Sequence, residues 1–210
     1  MCIAPIASGQ NNETITPGDH GANVNFVEIT PELQASVLLG LEYLAKAQAD
    51  DGSYGAPQYD KHVGITALAC LAFMAGGHAP GRGRYGPNVE RGLDFILSNA
   101  RETGLIAADT SHGPMYGHGF ATSFLGEEYG MKGDTRVREA LVKAVRLIVN
   151  TQNHEGGWRY HPVPIEADLS VTICQIMALR SARNAGIEVP KQTIERAIVY
   201  VRQCQNPSDG

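Results

Sequence analysis

Residues 144–158 decide the fold, and they read Ala-Val-Arg-Leu-Ile-Val-Asn-Thr-Gln-Asn-His-Glu-Gly-Gly-Trp. The first part has apolar residues at helical spacing, and the second part is a turn that ends on an aromatic residue. The helical part, 144–148, aligns with 92–96 and then with 40–44 at an offset of 52, and with 197–201 at an offset of 53. Four copies at nearly constant spacing predict a repeat in which a helix is followed by a turn.

A second set of helices is expected between these copies, at 63–74, 118–125 and 169–179. These stretches are more apolar and are rich in Ala, Gly and Thr. A helix that is apolar around most of its circumference belongs inside a protein, so the alternation predicts outer helices that shield inner ones. We therefore expect an all-α, two-layer α/α toroid with helical-hairpin repeats of about 52 residues. After a first helix from Pro31, the expected helices cover about 63–76, 88–100, 116–130, 135–152, 168–185 and 191–205.

The chain divides into an N-terminal arm, 1–29, and a helical repeat domain, 30–210. The arm is polar and has little periodicity, which is typical of a flexible segment. Thr30 and Pro31 mark the start of the domain, because Thr is a good N-cap and Pro is favoured at the first helical position. Cys70 and Cys174 lie inside apolar helical patterns and are expected to be buried.

Composition excludes several classes of partner. The chain of 210 residues has a net charge of −5 and no run of five like charges, so we expect neither nucleic acid nor an anionic membrane as a partner. No apolar stretch reaches the roughly 18 to 20 residues of a membrane span, so we expect no transmembrane segment and a soluble chain. The N-terminus lacks the pattern of a signal peptide, and the compartment stays open.

The turn at 152–158 resembles the QW repeat of squalene and oxidosqualene cyclases, and the turn at 48–54 is a weaker copy of it. The stretch from about 31 to 210 resembles the prenyltransferase and squalene-oxidase repeat family. The resemblance implies the α/α toroid of terpenoid cyclases and protein prenyltransferase β subunits. It also implies that an outer helix is tied to its neighbour by a Gln and an aromatic ring, here Gln48 with Tyr54 and Gln152 with Trp158.

The sequence also departs from this family. The acidic D-x-D-D motif of squalene-hopene cyclases is reduced to Glu166-Ala-Asp168-Leu, and Asp50-Asp51 does not continue as D-D-x-x-D. Three helix pairs and one further helix are fewer than the family toroid closes with, so we expect an incomplete toroid. Its last repeat would keep an uncovered apolar face, which favours self-association through the open end.

An alignment of the inner helices on three threonines gives the first candidate site. Four residues before Thr66, Thr122 and Thr172 stand His62, His118 and Asp168. On inner helices arranged like barrel staves, these three side chains would lie near one mouth and could act as acid, base or metal ligand. Alternatively, Asp168 is a helix cap and each Thr hydroxyl bonds to the carbonyl four residues earlier. The sequence leaves both interpretations open.

The stretch 111–118 gives a second candidate, because His112, Tyr116 and His118 follow one another in a loop with two glycines and a proline. We expect this loop at the cavity mouth with Tyr160 and His161, although a turn with a buried tyrosine is the simpler alternative. Glu127 and Glu128 point about 100° apart on a helix, so only Glu127 is expected to face the cavity.

The resemblance implies an isoprenoid-handling protein that binds a long apolar substrate inside the inner layer. Asp168 would be the proton donor, and His118 and Tyr116 would orient or relay the proton. The expected substrate contacts are His62, Thr66, His112, Thr122, Glu127, Tyr160, His161 and Thr172. No metal or cofactor is assigned. The alternatives are a non-enzymatic binding or scaffold module and, third, a toroid enzyme acting on carbohydrate, which lacks a usable carboxylate pair.

Overall fold

The computed structural model describes residues 29–111, 113–206 and 208, and all regular secondary structure in these ranges is helical. The described ranges contain no β-strand, only isolated bridges within turns. The all-α prediction is therefore confirmed, whereas the arm expected at 1–29 lies outside the described residues except for its last position. The helices are α1 (Pro31–Ala47), α2 (Val63–Ala75), α3 (Gly86–Ser98), α4 (Met115–Lys132), α5 (Thr135–Asn150), α6 (Leu169–Asn184) and α7 (Lys191–Gln203).

Local chemistry accounts for where these helices begin and end. The Thr30 hydroxyl accepts a hydrogen bond from the Leu33 N–H at 3.2 Å, and Pro31 is the first helical residue. The predicted start of α1 is thus confirmed. The helix ends at Ala47, and Gly52 belongs to the turn that follows it.

The central helices α2, α4 and α6 form a row with α4 in the middle, where α4 contacts both of the others. Helix α3 packs on α2, α5 packs on α4 and α6, and α7 packs on α6. Small residues allow the close approach inside the row: a Cβ added to Gly64 would lie 2.8 Å from the Gly117 Cα, and one added to Gly126 would lie 2.3 Å from the Ser181 Oγ. The glycines of α4 therefore set its distance from both neighbours.

The core lies between the central row and the flanking helices. Cys70 and Cys174 are both buried free thiols, as the sequence predicts. None of the described helices combines the length and apolar character that crossing a bilayer requires. The largest fully buried apolar side chains include Trp158, Phe73, Phe124, Ile96, Leu141 and Leu179.

A glycine turn fixes each flanking helix against the next one. Gly156, in the turn after α5, has φ +102, and a Cβ added there would lie 2.3 Å from the Arg196 carbonyl oxygen on α7. Only glycine meets both conditions, because other residues avoid this backbone region and need space for a side chain. The same arrangement recurs after α1 and after α3: a Cβ added to Gly52 (φ +86) would lie 2.2 Å from the Arg91 oxygen, and one added to Gly104 (φ +92) would lie 2.3 Å from the Lys143 oxygen.

Glutamine and aromatic side chains strengthen two of these turns. The Gln152 amide donates to the carbonyl oxygens of Gly156 and Thr193, both at 2.9 Å, and the Trp158 indole N–H donates to the Ile148 oxygen at 2.7 Å. One glutamine thus joins its own turn to α7. The turn after α1 has the same bonds, from Gln48 to Gly52 and Asn88, and from the Tyr54 hydroxyl to Leu44.

Gly156→Ala is expected to lower the free energy of unfolding by about 3 kcal/mol, because it adds a steric collision to an unfavourable backbone conformation. The matched control is Gly133→Ala, at a helix end with φ +70 and no atom within 4 Å of the added Cβ. The control should cost about 1 kcal/mol, since it carries the backbone term alone. Urea unfolding of both variants checks this, and equal losses would contradict the role of the close contact.

Candidate functional site

A cleft of about 660 Å³ opens at the N-terminal ends of α2 and α4. We call it the N-terminal cleft. Its walls come from the loop before α2, the loop before α4 and the loop between α5 and α6. The functional side chains that line it include Tyr59, Asp60, Lys61, His62, Asp109, Tyr116 and Tyr160. Three of these, His62, Tyr116 and Tyr160, are among the residues that the sequence proposed.

His62 caps α2 with its ring. Its Nδ1 accepts the backbone N–H groups of Gly64 at 3.1 Å and Ile65 at 3.3 Å. A nitrogen that accepts carries no proton, so the proton of the neutral ring is on Nε2. Burial lowers the pKa of His62, and the negative charge of Asp109 opposes this more weakly. The neutral ring is thus the favoured form at this helix start.

Asp168 caps α6 and connects to the cleft through tyrosines. Its Oδ1 accepts the Ser170 hydroxyl at 2.5 Å and the Val171 N–H at 3.0 Å, and its Oδ2 accepts the Tyr160 hydroxyl at 3.5 Å. The hydroxyls of Ser170 and Tyr116 are also hydrogen-bonded to each other. The rings of Tyr116 and Tyr160 lie 6.0 Å apart and both line the cleft, so this polar network borders the cleft through its two tyrosines.

The interpretation of Asp168 as a proton donor does not agree with this environment. The hydrogen bond from Ser170, followed by the one from the Val171 N–H, lowers the pKa of the Asp168 carboxyl. The group is therefore ionised at neutral pH and has no proton to release. The capping alternative, which the sequence left open, describes the contacts that Asp168 makes.

The alignment of the central helices on Thr66, Thr122 and Thr172 is wrong by one helical turn in α4. In each turn that precedes a central helix, one backbone N–H donates to a side chain of that helix. The acceptors are Thr66 Oγ1 for Tyr54 at 2.9 Å, Thr172 Oγ1 for Trp158 at 3.0 Å, and His118 Nδ1 for Ile106 at 3.2 Å. His118 is thus the counterpart of Thr66 and Thr172, and the residue at the start of α4 is Pro114.

His118 is consequently in the core and not at the cleft. Its side chain is 0% exposed, and burial lowers its pKa to about 4, against a weaker opposing effect of the Ala144 carbonyl. A neutral, inaccessible ring neither relays a proton to a bound substrate nor joins His62 and Asp168 in a ring of ligands. The described part of the chain brings no three His, Cys, Asp or Glu side chains together as metal ligands.

Four of the substrate contacts expected from the sequence, namely Thr66, Thr122, Thr172 and His161, do not line the cleft. Thr66, Thr122 and Thr172 are each 0% exposed, so a ligand in the cleft cannot contact their side chains. His161 is exposed and does not line the cleft. His112 lies outside the described residues.

Glu127 lines a second depression, of about 570 Å³, which we call the helix groove. The groove crosses the C-terminal halves of the three central helices, where its walls include Leu71, Met177 and Arg180. The Ser181 hydroxyl donates to the Glu127 Oε1 at 3.0 Å. Glu128 points the other way, as expected for adjacent helical residues, and is 1% exposed.

The Glu128 carboxyl is buried without a hydrogen-bond partner among the described residues. Burial raises its pKa, and Lys132 opposes this shift more weakly. Burial, with a smaller effect of Glu128, also raises the pKa of the Cys70 thiol to about 12. This interior therefore disfavours negative charge.

Sequence reasoning missed five residues of the cleft region, namely Tyr59, Asp60, Lys61, Asp109 and Ser170. The first four are in loops, where no periodic pattern marks them. Ser170 had a usable signal, because a hydroxyl residue two positions after an Asp N-cap is placed to bond to that carboxylate.

Comparison with known proteins does not assign the chain to a family. No protein-family model matches the sequence, and no curated protein matches it. The resemblance to the prenyltransferase and squalene-oxidase repeats therefore rests on the residues quoted above and remains a prediction.

Asp168→Asn is expected to keep the stability of the wild type within about 0.5 kcal/mol at pH 7, because Asn caps helices as well as Asp does. Asp168→Ala should lose about 1 kcal/mol. The pKa of Asp168 is lower in the folded chain than in the unfolded chain. Its contribution to the free energy of unfolding is therefore complete above the unfolded pKa and is lost as the pH falls through the folded pKa. Urea unfolding at pH 7 and at pH 3 measures both effects. An Asn variant as unstable as the Ala variant would contradict capping.

Glu128→Gln is expected to become more stable, relative to the wild type, as the pH rises. The pKa of Glu128 is higher in the folded chain than in the unfolded chain. Below the unfolded pKa the carboxyl is protonated in both states, so its ionisation does not affect the stability of the wild type. As the pH rises from the unfolded pKa towards the folded pKa, the wild type loses stability. Between pH 4 and pH 7 the advantage of the Gln variant should grow by about 1 to 2 kcal/mol. Thermal or urea unfolding at both pH values provides the comparison, and a constant difference would exclude an ionisation cost.

Proposed function

We propose that this chain is a repeat protein of the α/α-toroid type that binds a long apolar ligand of the isoprenoid class on the face formed by α2, α4 and α6. The observation that carries the proposal is the exposure of apolar side chains on helices that otherwise form the core. Leu68 is 46% exposed, Ile173 is 40% exposed and Met177 is 54% exposed. We call this surface the central face.

The central face is continuous along the helices. On α4, the residues Tyr116, Phe120, Ser123 and Glu127 recur every three or four positions, so they lie along one side of the helix. Tyr116 lines the N-terminal cleft, and Ser123 and Glu127 line the helix groove. From 116 to 131 the helix extends about 22 Å at 1.5 Å per residue. The cleft and the groove thus mark the two ends of one apolar track.

Such a track favours a long, flexible hydrocarbon over a compact ligand. Covering exposed apolar surface contributes about 25 cal/mol per Å², so affinity grows with the length of chain in contact. Met131 and Met177 on this face have unbranched, adaptable side chains, which suit a branched chain of variable conformation.

The turns support the relation to the prenyltransferase and squalene-oxidase repeats. The glycine contact recurs after α1, α3 and α5, and the bonds from glutamine and from an aromatic ring recur in two of these turns. A row of central helices packed by flanking helices is also the arrangement expected of a toroid segment. The proposal covers binding only, because Asp168 is an ionised cap and His118 is buried.

A non-enzymatic scaffold is the second candidate, and helix α1 favours it. Its apolar side chains Val37, Leu39 and Tyr43 are 50%, 68% and 71% exposed. A partner protein or a second copy of the chain would cover them. The two candidates differ in what they bind, so one measurement can separate them.

Native mass spectrometry of the whole chain, incubated with squalene, is expected to detect a one-to-one complex. Replacing both Ile173 and Met177 by Gln should weaken binding about tenfold, because polar side chains interrupt the apolar track. The matched control is Val199→Gln on α7, where the side chain is 50% exposed but lies off the central face. The control should bind as the wild type does. Absence of a squalene complex, or equal weakening by the control, would overturn the proposal, and a ligand-free dimer would favour the scaffold.

A further inference from the structure

The N-terminal cleft contains a hydrogen-bond donor, the Nε2–H of His62, that no described residue uses. The Nδ1 of His62 is occupied by the N–H groups of Gly64 and Ile65, whereas none of the described residues hydrogen-bonds to Nε2. His62 lines the cleft, and Nε2 is not among the buried polar atoms that lack partners. The proton on Nε2 is therefore accessible to a ligand in the cleft.

The ring of His62 is held in this orientation by packing as well as by hydrogen bonds. A Cβ added to Gly64 or to Gly117 would lie 3.1 Å from the Cε1 carbon, so the backbones of α2 and α4 both lie close to the ring. The ring of Tyr59 meets the imidazole edge-on, with 5.6 Å between the centroids. Turning the ring over would place the Cδ2–H group against the two N–H donors, and the tautomer protonated at Nδ1 would place its own proton there, so both alternatives are disfavoured.

The same geometry disfavours positive charge on His62. Protonation of Nδ1 would remove both capping bonds, and an imidazolium at the start of α2 would be repelled by the positive end of the helix dipole. Asp109 is the charged group that opposes this effect, and the titratable Tyr59 and Tyr116 line the same cleft. Nε2 therefore presents a proton to the cleft and has no lone pair with which to bind a metal ion.

The charges around the cleft decide which acceptor fits. Asp60 and Asp109 line it, and Lys61, the one Lys or Arg among the described lining residues, has its Nζ 2.9 Å from Asp51 Oδ2. Arg159 stacks on the Tyr160 ring but is paired with Glu166. An anionic end such as a diphosphate would meet carboxylates here without an unpaired cation among the described lining residues.

We propose that the N-terminal cleft selects an uncharged, oxygen-bearing end of the apolar ligand, a hydroxyl or a carbonyl, and that His62 recognises this oxygen by donating its Nε2–H. This inference rests on the proposed function, since it names the ligand class for the same face. The apolar chain lies along the central helices, and the oxygen lies at their N-terminal ends.

The test compares the affinity of the whole chain for three probes that share one carbon chain: farnesol, the hydrocarbon farnesene and farnesyl diphosphate. The wild type is expected to bind farnesol about tenfold more tightly than farnesene, which corresponds to one net hydrogen bond. Farnesyl diphosphate should bind more weakly than farnesol. His62→Asn should remove the preference for farnesol over farnesene, because Asn keeps the helix cap but its shorter side chain does not reach the cleft as Nε2 does.

His161→Asn is the matched control, because it makes the same substitution at an exposed histidine that does not line the cleft and leaves His62 in place. The control should keep the preference for farnesol. Equal binding of farnesol and farnesene by the wild type would overturn the inference and leave the proposed function intact, as would tighter binding of the diphosphate. Failure of all three probes to bind would overturn both.

Long-range proton–nitrogen NMR spectra of the imidazoles test the donor without any ligand. The ordinary pKa of histidine is near 6.5. From pH 8 to a pH below this value, the His62 ring is expected to stay neutral, with its proton on Nε2. A ring protonated at Nδ1, or one that titrates at its ordinary value, would overturn the inference. His62→Asn identifies the signal by its loss.

Discussion

The contact between a turn glycine and a backbone carbonyl of the next flanking helix is the constraint on which the other features depend. At Gly52, Gly104 and Gly156 the backbone has positive φ and lies so close to that helix that a Cβ would not fit. The contact fixes the spacing of the flanking helices. It also sets the direction in which the chain leaves the turn, so that the N–H two residues after the glycine reaches Thr66, His118 or Thr172 on a central helix.

The starts of the central helices, positioned in this way, give the cleft its chemistry. His62 begins α2 with a neutral ring, Pro114 begins α4 without a side-chain cap, and Asp168 begins α6 with a carboxylate. Three helix starts that are equivalent in the fold thus supply a hydrogen-bond donor, an apolar wall and a negative charge. The polarity of the cleft depends on the residue at the N-terminal end of each central helix, and the helices hold these residues in place.

The helices were predictable because their signals are local. Thr30 and Pro31 mark a start by capping chemistry, and the opposite environments of Glu127 and Glu128 follow from helix geometry alone. The register of α4 was not predictable from its pattern, because His118 and Thr122 are one turn apart and both fall on the same side of the helix. Only the bond from Ile106 distinguishes them. The role of Asp168 could not be read from a partial motif, since its ionisation depends on Ser170 and on the N–H of Val171.

Helix α1 differs from the other helices in how it is held, because Leu41 is its one buried residue. It contacts α2 at the edge of the central row. An element with so little buried surface opens locally at a lower free energy than the whole domain unfolds, so its amide protons exchange with solvent earlier than those of α4. Cooperativity therefore declines towards this edge, and α2 loses part of its cover whenever α1 detaches. The central face is thus built around the most buried helix of the domain, α4, and is bordered by the least buried one, α1.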